Sequence, residues 1–306
     1  MLTDDHPMPG AFDLSISLSN MSNRAQATQP QPAQRPRAAG RQGDPGLSQS
    51  LERGLSILSA FKADRALIGT TELARELGLG ISTTHRYIAT LARLGYLEQE
   101  PTTRRYRLGL RVVDLGFAAI NSMEIRQIAS PHLQRLSNET GFTVNMAILD
   151  GVEIVYVDRY RSTRPGQRQI DLNLHVGARL PAYCTSLGKA LLAYLDGDER
   201  RRTIESMALT RLGPNTFTTA ATLNAELDRV RTTGLAVNNE ELAYGLRSIA
   251  VPVHGASGEV VAAINLSLHT SMGAVSMAEV VSRYGPPLRK TATAITARVG
   301  YRRGSD

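Results

Sequence analysis

Residues 70–109 read TTELARELGLGISTTHRYIATLARLGYLEQEPTTRRYRLG, and this stretch decides the fold. Two segments with helical apolar spacing are joined by a turn holding Gly78 and Gly80. Ala74 and Leu77 share the inner face of the first. Tyr87, Ile88, Leu91 and Leu94 share that of the second. Thr71 and Ser82 suit the two helix starts, where a side-chain oxygen can accept from a free backbone amide. Gly95 follows the second helix, at a position where left-handed backbone costs little only for glycine. Tyr96-Leu97-Glu98 and Tyr106-Arg107-Leu108 then read as short strands. Pro101-Thr102-Thr103 turns between them, with Arg104 and Arg105 near the tip. Helix, turn, helix and hairpin make a winged helix-turn-helix.

That arrangement makes double-stranded operator DNA the expected partner. The second helix of such a unit lies in the major groove, and its first residues meet base edges. Here these are Ser82, Thr83, Thr84, His85 and Arg86. Hydroxyls reach bases or phosphates, and an arginine can take a guanine bidentately. Thr71, at the start of the preceding helix, joins the candidate contacts, as do Arg104 and Arg105 of the wing. Residues 49–110 hold nine basic side chains against six acidic, so placement matters more than surplus. The competing reading is a winged helix that meets only protein, its arginines merely solvated.

Outward from this stretch, residues 1–47 are rich in Pro, Gln, Ser and Ala and read as a disordered tail. Leu51, Leu55, Leu58 and Phe61 predict an amphipathic helix that opens the DNA-binding unit, residues 48–109. Val112, Leu115, Ala118, Ala119, Met123 and Ile128 predict one connecting helix over 110–129. Pro131 then suits the first turn of the next helix. From Gly141 the texture becomes strand-like. Residues 143–149, 153–160, 169–176, 248–253 and 260–268 read as strands. Helices are expected over 186–194, 222–233 and 277–299. Antiparallel strands with segregated helices give residues 130–300 an α+β class.

The bulk numbers exclude several classes. The 306 residues suffice for about two domains. The net charge of +7 favours polyanions without naming one. A single cysteine, Cys184, rules out an intramolecular disulfide and a multi-thiolate zinc site. No apolar run approaches the ~20 residues of a membrane span, and the acidic start is unlike a secretory signal. A cytoplasmic protein with no metal, no cofactor and no membrane partner is expected.

Two further constellations stand out. Gly177 to Ala190, GARLPAYCTSLGKA, runs into small residues that open a helix. Free amides there can hold an anion, with Ser186 and Gly188 leaving room. The spacing is neither a phosphate-binding loop nor a nucleophile elbow. Lys189 reads as a solvated helix residue and Cys184 as a small core side chain. Asn238 to Ser248, NNEELAYGLRS, leads into a strand. Glu240 and Glu241 read as exposed loop acids, and Gly245 permits a bend beside the 186–190 helix. An enzyme centred on Cys184 or Ser186 is the alternative function. It lacks a base nearby in sequence.

These segments together resemble the IclR family of bacterial transcription regulators. The resemblance rests on SLERGLSIL, TELARELGLGISTTHRYIATLARLGYLEQ, TSLGKALLAYL and NNEELAYGLRSIAVPV, in that order, and covers about residues 48–300. It implies a winged-helix domain, a linker helix and a C-terminal GAF-like α/β effector-binding domain, in a regulator without catalytic residues. It also implies self-association as a dimer or tetramer. Repression is expected ahead of activation. The effector would be a small organic acid, held by the backbone at Ser186 and Leu187 with Asn238, Leu246, Ser248, Asn265 and Leu172. Asn238 and Ser248 stand where members often carry Asp and Cys. The wording is most similar to the branch that controls aromatic-acid catabolism. For an aromatic carboxylate, Arg247 could meet the anion and Tyr183 the ring; a salt bridge is the other reading of Arg247.

Overall fold

The computed structural model describes residues 47–62, 64–161, 174–269 and 276–303. Three helices, α1 (Gln49–Ser59), α2 (Thr70–Leu77) and α3 (Ile81–Arg93), precede a hairpin of β1 (Leu97–Gln99) and β2 (Tyr106–Leu108). Ile57, Ile68, Leu73, Ile88, Leu97 and Tyr106 form their shared core. Ile68 also pairs with Tyr106 through an isolated antiparallel bridge, which ties the segment before α2 to the hairpin. The helix starts differ from expectation. Gly69 and Gly80 occupy the caps of α2 and α3, without side-chain hydrogen bonds, so Thr71 and Ser82 lie inside the first turns. Gly95 adopts the left-handed conformation expected of it (φ 79°). Gly109 has a tighter constraint, because a Cβ there would collide with the backbone oxygen of Gly95.

The connector is two helices. α4 spans Arg111–Asn121 and α5 spans Glu124–Thr140, with Ser122 and Met123 between them. Pro131 lies inside α5 and opens no helix. A proline in a helix costs about 3 kcal/mol. Burying Ile128, Ala129, Leu133 and Leu136 returns more, at about 1.5–3 kcal/mol for each large apolar side chain. α4 has no such return: none of its residues is buried.

Beyond it, β3 (Thr143–Asp150), β4 (Glu153–Tyr160), β5 (Arg179–Pro181), β6 (Ala236–Asn239), β7 (Leu246–His254) and β8 (Val260–His269) form one sheet. Its order is β5-β4-β3-β8-β7-β6, and every pairing is antiparallel. Strand alternation sends Val144, Met146, Ile249, Val251 and Ile264 to one face, where they pack with α5 and with α9 (Met277–Arg303). Ala147, Tyr156, Ala236, Ala250 and Ala263 face the other way. They meet a 3-10 turn (Ala182–Cys184), α6 (Ser186–Leu192) and α8 (Ala220–Thr233). The sequence reading missed α7 (Gly197–Glu205) and the short strands β5 and β6. The strand expected over 169–176 falls, through residue 173, outside the described residues. Leu174 to Val176 are not strand. Among the described residues no helix is long and apolar enough to cross a membrane.

Candidate functional site

The first site is the outer face of α3. Ser82, His85, Arg86, Ala89 and Arg93 are all exposed, at the spacing of one helical stripe. Ala89 and Arg93 were not anticipated, although the same period predicts them. Thr83 is half-buried. Thr84 must be withdrawn as a base contact: it is fully buried, and its hydroxyl donates to the Gly80 carbonyl at 3.1 Å. It sits one position from the stripe, where the helix turns it into the core.

The wing arginines divide. Arg104 is exposed in a left-handed conformation (φ 59°). Arg105 donates from Nη2 to both carboxylate oxygens of Glu72 at 2.8 Å, which ties the wing to α2. Arg65 extends this network to Glu72 and Glu76, and Arg107 pairs with Glu98 across the hairpin. Arg104 therefore stands exposed on the wing, while Arg105 is engaged in holding the wing to α2. Thr71 is exposed near Glu72.

The second site lies where the first turn of α6 meets the sheet. Thr185 caps α6 by accepting from Gly188 N at 3.0 Å. No described residue accepts from the amides of Ser186 and Leu187. Gly188 does not leave room for a ligand, because a Cβ there would collide with the Ala182 backbone. Its role is the close packing of α6 on the 3-10 turn. Ser186 Oγ and Ser248 Oγ are 2.7 Å apart and both buried. Ser248 stands beside Asn238 on β6 and Ser267 on β8. Asn145 Nδ2 donates to Asn265 Oδ1 at 2.8 Å across β3 and β8, and Arg159 Nη1 donates to Asn145 Oδ1 at 2.9 Å. The face of the sheet below α6 thus carries a polar row from β6 to β4, in a layer otherwise built of alanines and Tyr156. Burial holds the Tyr156 hydroxyl far above its usual range, with the nearby Arg159 charge acting against that.

Asn238 Oδ1 accepts from the Glu241 amide at 2.9 Å, which closes the following loop. Glu241 is buried, and so is Lys189. The Lys189 ammonium is fully buried, 2.6 Å from Glu241 Oε1 and 3.3 Å from Glu226 Oε1, and 4.8 Å from the Phe217 ring centre. The expectation of a solvated lysine beside exposed acids is corrected. α6 is too short and too enclosed to offer a wet face. Tyr183 is buried, with its hydroxyl donating to Thr210 O at 2.7 Å. Leu246 packs in the same core. Arg247 lies on the face opposite Ser248 by strand alternation and pairs with Glu240 at 3.4 Å. Leu172 lies outside the described residues. Asn145, Arg159 and Ser267 were missed. The available signal was a lone Asn in the apolar strand TVNMAILD, in register with the polar positions of its neighbours. The Cys184 thiol is fully buried, and burial pushes its pKa far up, which suits packing and not nucleophilic attack.

Residues 50–101 match the IclR helix-turn-helix domain, and residues 117–297 match the bacterial transcriptional regulator IclR C-terminal domain. The chain belongs to the IclR family. Among curated IclR relatives is the Pca regulon regulatory protein of Pseudomonas putida, 36% identical over 80% of this chain and 82% of the relative. The p-hydroxybenzoate hydroxylase transcriptional activator of Acinetobacter baylyi is 35% identical over 79% and 88%. Among solved structures, an IclR homologue from Microbacterium hydrocarbonoxydans complexed with 4-hydroxybenzoate matches with a TM-score of 0.68 and 26% identity. The match covers 82% of this chain and 98% of that one. The IclR relatives are named transcriptional regulators, so this chain is a DNA-binding regulator and not an enzyme.

Proposed function

We propose that this regulator senses a small aromatic acid at the second site and changes its hold on operator DNA in response. The observation that carries the reading is the polar row facing the first turn of α6, joined to it by the Ser186–Ser248 contact. The row is polar within an otherwise apolar layer, and its hydroxyls and amides match a ligand that carries oxygen substituents. Relatives concerned with hydroxybenzoate chemistry support the aromatic class. The ligand set is Ser186, Leu187, Asn238, Leu246, Ser248 and Asn265, with Tyr183 near the ring. The DNA set is Ser82, Thr83, His85 and Arg86, with Arg104 and Thr71 on the duplex backbone. The chain acts in the cytoplasm as a dimer, which can pair into a tetramer. Repression is the expected sign, set by where the operator lies relative to polymerase.

A gel shift on promoter DNA tests both halves. Full-length protein should retard the DNA, and 4-hydroxybenzoate should change that affinity. Arg86→Ala should lose sequence preference by about 1–3 kcal/mol. An unchanged shift with every aromatic acid tried would remove the effector class. An Arg86→Ala variant that binds like wild type would remove the docking geometry.

A further inference from the structure

We infer that Ile81, the first residue of α3, reads a thymine in the operator by packing against its C5 methyl group. This rests on the docking of α3 in the major groove proposed above. Ile81 is 59% exposed. Among the described residues, the core of the winged helix closes around Ile57, Leu73 and Ile88 without it. Ile81 does not help the helix to start either. Gly80 caps α3 with no side-chain hydrogen bond, and the first turn carries no acid. An apolar β-branched residue at that point adds neither a cap nor a favourable charge. Its burial is left to a partner.

Three features make that partner DNA. Ile81, His85, Ala89 and Arg93 follow one another at steps of four, on the exposed face that carries Arg86. α3 contains no acidic residue, so this face is complementary to a polyanion. Secondly, a helical Cα–Cβ bond leans toward the helix N-terminus. From the first position the Ile81 side chain therefore projects ahead of the helix, at the end that meets base edges. Gly78 and Gly80, which precede it, have no side chains to cover it. Finally, of the groups that base edges present in the major groove, the thymine methyl is the apolar one. Five residues separate Ile81 from Arg86, a rise of about 7.5 Å along the helix. The thymine thus stands roughly two base pairs from the guanine taken by Arg86.

The test is a gel shift with full-length protein on DNA that differs by single methyl groups. Wild type first selects its best duplex from a random pool. Each thymine of that duplex is then replaced singly by deoxyuridine, which keeps the base pairing and loses only the methyl. One such replacement in a half-site should weaken wild-type binding about 4-fold, the effect of one methyl group withdrawn from an apolar contact. Ile81→Ser should bind the thymine and uracil duplexes equally; the side chain is exposed, so serine there leaves the core intact. Ile81→Val, which keeps a branched apolar surface, should still discriminate. Arg86→Ala should lose the guanine preference and keep the discrimination, because the two contacts fall on different base pairs. If no replacement weakens wild type, or if Ile81→Ser discriminates as wild type does, the assignment of Ile81 is overturned, while a guanine preference lost in Arg86→Ala keeps α3 in the groove. A lower mass of Ile81→Ser in sedimentation equilibrium, with its discrimination intact, would assign the side chain to a second copy of the chain instead. If the selection enriches no sequence, the docking of α3 falls, and this contact falls with it.

Discussion

Lys189 shows how much one side chain can depend on context. Its ammonium has no exposure, and it is enclosed by Glu241, Glu226 and Phe217. A buried pair is weak evidence of stabilisation, but removing one partner strands the other. Lys189→Met should therefore destabilise the chain by about 3–5 kcal/mol. The loss should depend on pH, with a definite sign. Burial raises the Glu241 pKa, and the Lys189 charge opposes that rise. Without Lys189 the folded pKa climbs further above its unfolded value. A group with a raised folded pKa contributes stability below its unfolded pKa and loses it as pH rises through the folded one. Glu226 keeps Arg229 at 2.7 Å and stays charged. The deficit of Lys189→Met should thus be smallest near pH 5 and grow towards pH 8, as read from urea melts. A pH-independent deficit would count against Glu241 as the stranded partner.

At the scale of elements, α4 is the exception. It buries none of its residues, and Leu110, Val113, Leu115 and Phe117 are exposed, Phe117 at 59%. Leu51 and Leu55 on α1 are likewise exposed, at 63% and 55%. Exposed large apolar side chains in this number mark an interaction surface. We assign them to a second copy of the chain, in keeping with the proposed dimer. Phe117→Asp with Leu55→Asp should reduce the mass in sedimentation equilibrium to that of a monomer, without shifting the helical content of the monomer. Retention of the wild-type mass would move the interface elsewhere. Periodicity made α4 legible as a helix with an apolar side. It could not show that the side has no cover within the chain, nor that the helix stops at Asn121. That break follows from burial: α5 starts where residues reach the sheet.

For the whole molecule, a regulator of this kind couples two sites, and coupling is reciprocal. If 4-hydroxybenzoate changes operator affinity by some factor, saturating operator must change 4-hydroxybenzoate affinity by the same factor. Titrating the acid with and without bound DNA checks this, with factors of about 5- to 150-fold as the usual range. Unequal factors would show that more than the two proposed sites take part.

The sequence by itself determined the winged helix-turn-helix, most strands of the C-terminal sheet and the two segments that meet at the second site. Those features are local: helical and strand periods, glycines at left-handed positions such as Gly95, and a turn between apolar runs. The tertiary structure alone decided which polar groups are inside. Thr84 and Lys189 look solvated in the sequence and are buried. Arg105 looks free and is held by Glu72. Arg247 looks well placed beside Ser248, yet the pleat turns it to the opposite face. Arg159 looks remote and reaches Asn145 across the sheet. Each outcome depends on register and on contacts between distant residues. Pairing of strands far apart in the chain sets these, and no local pattern records it.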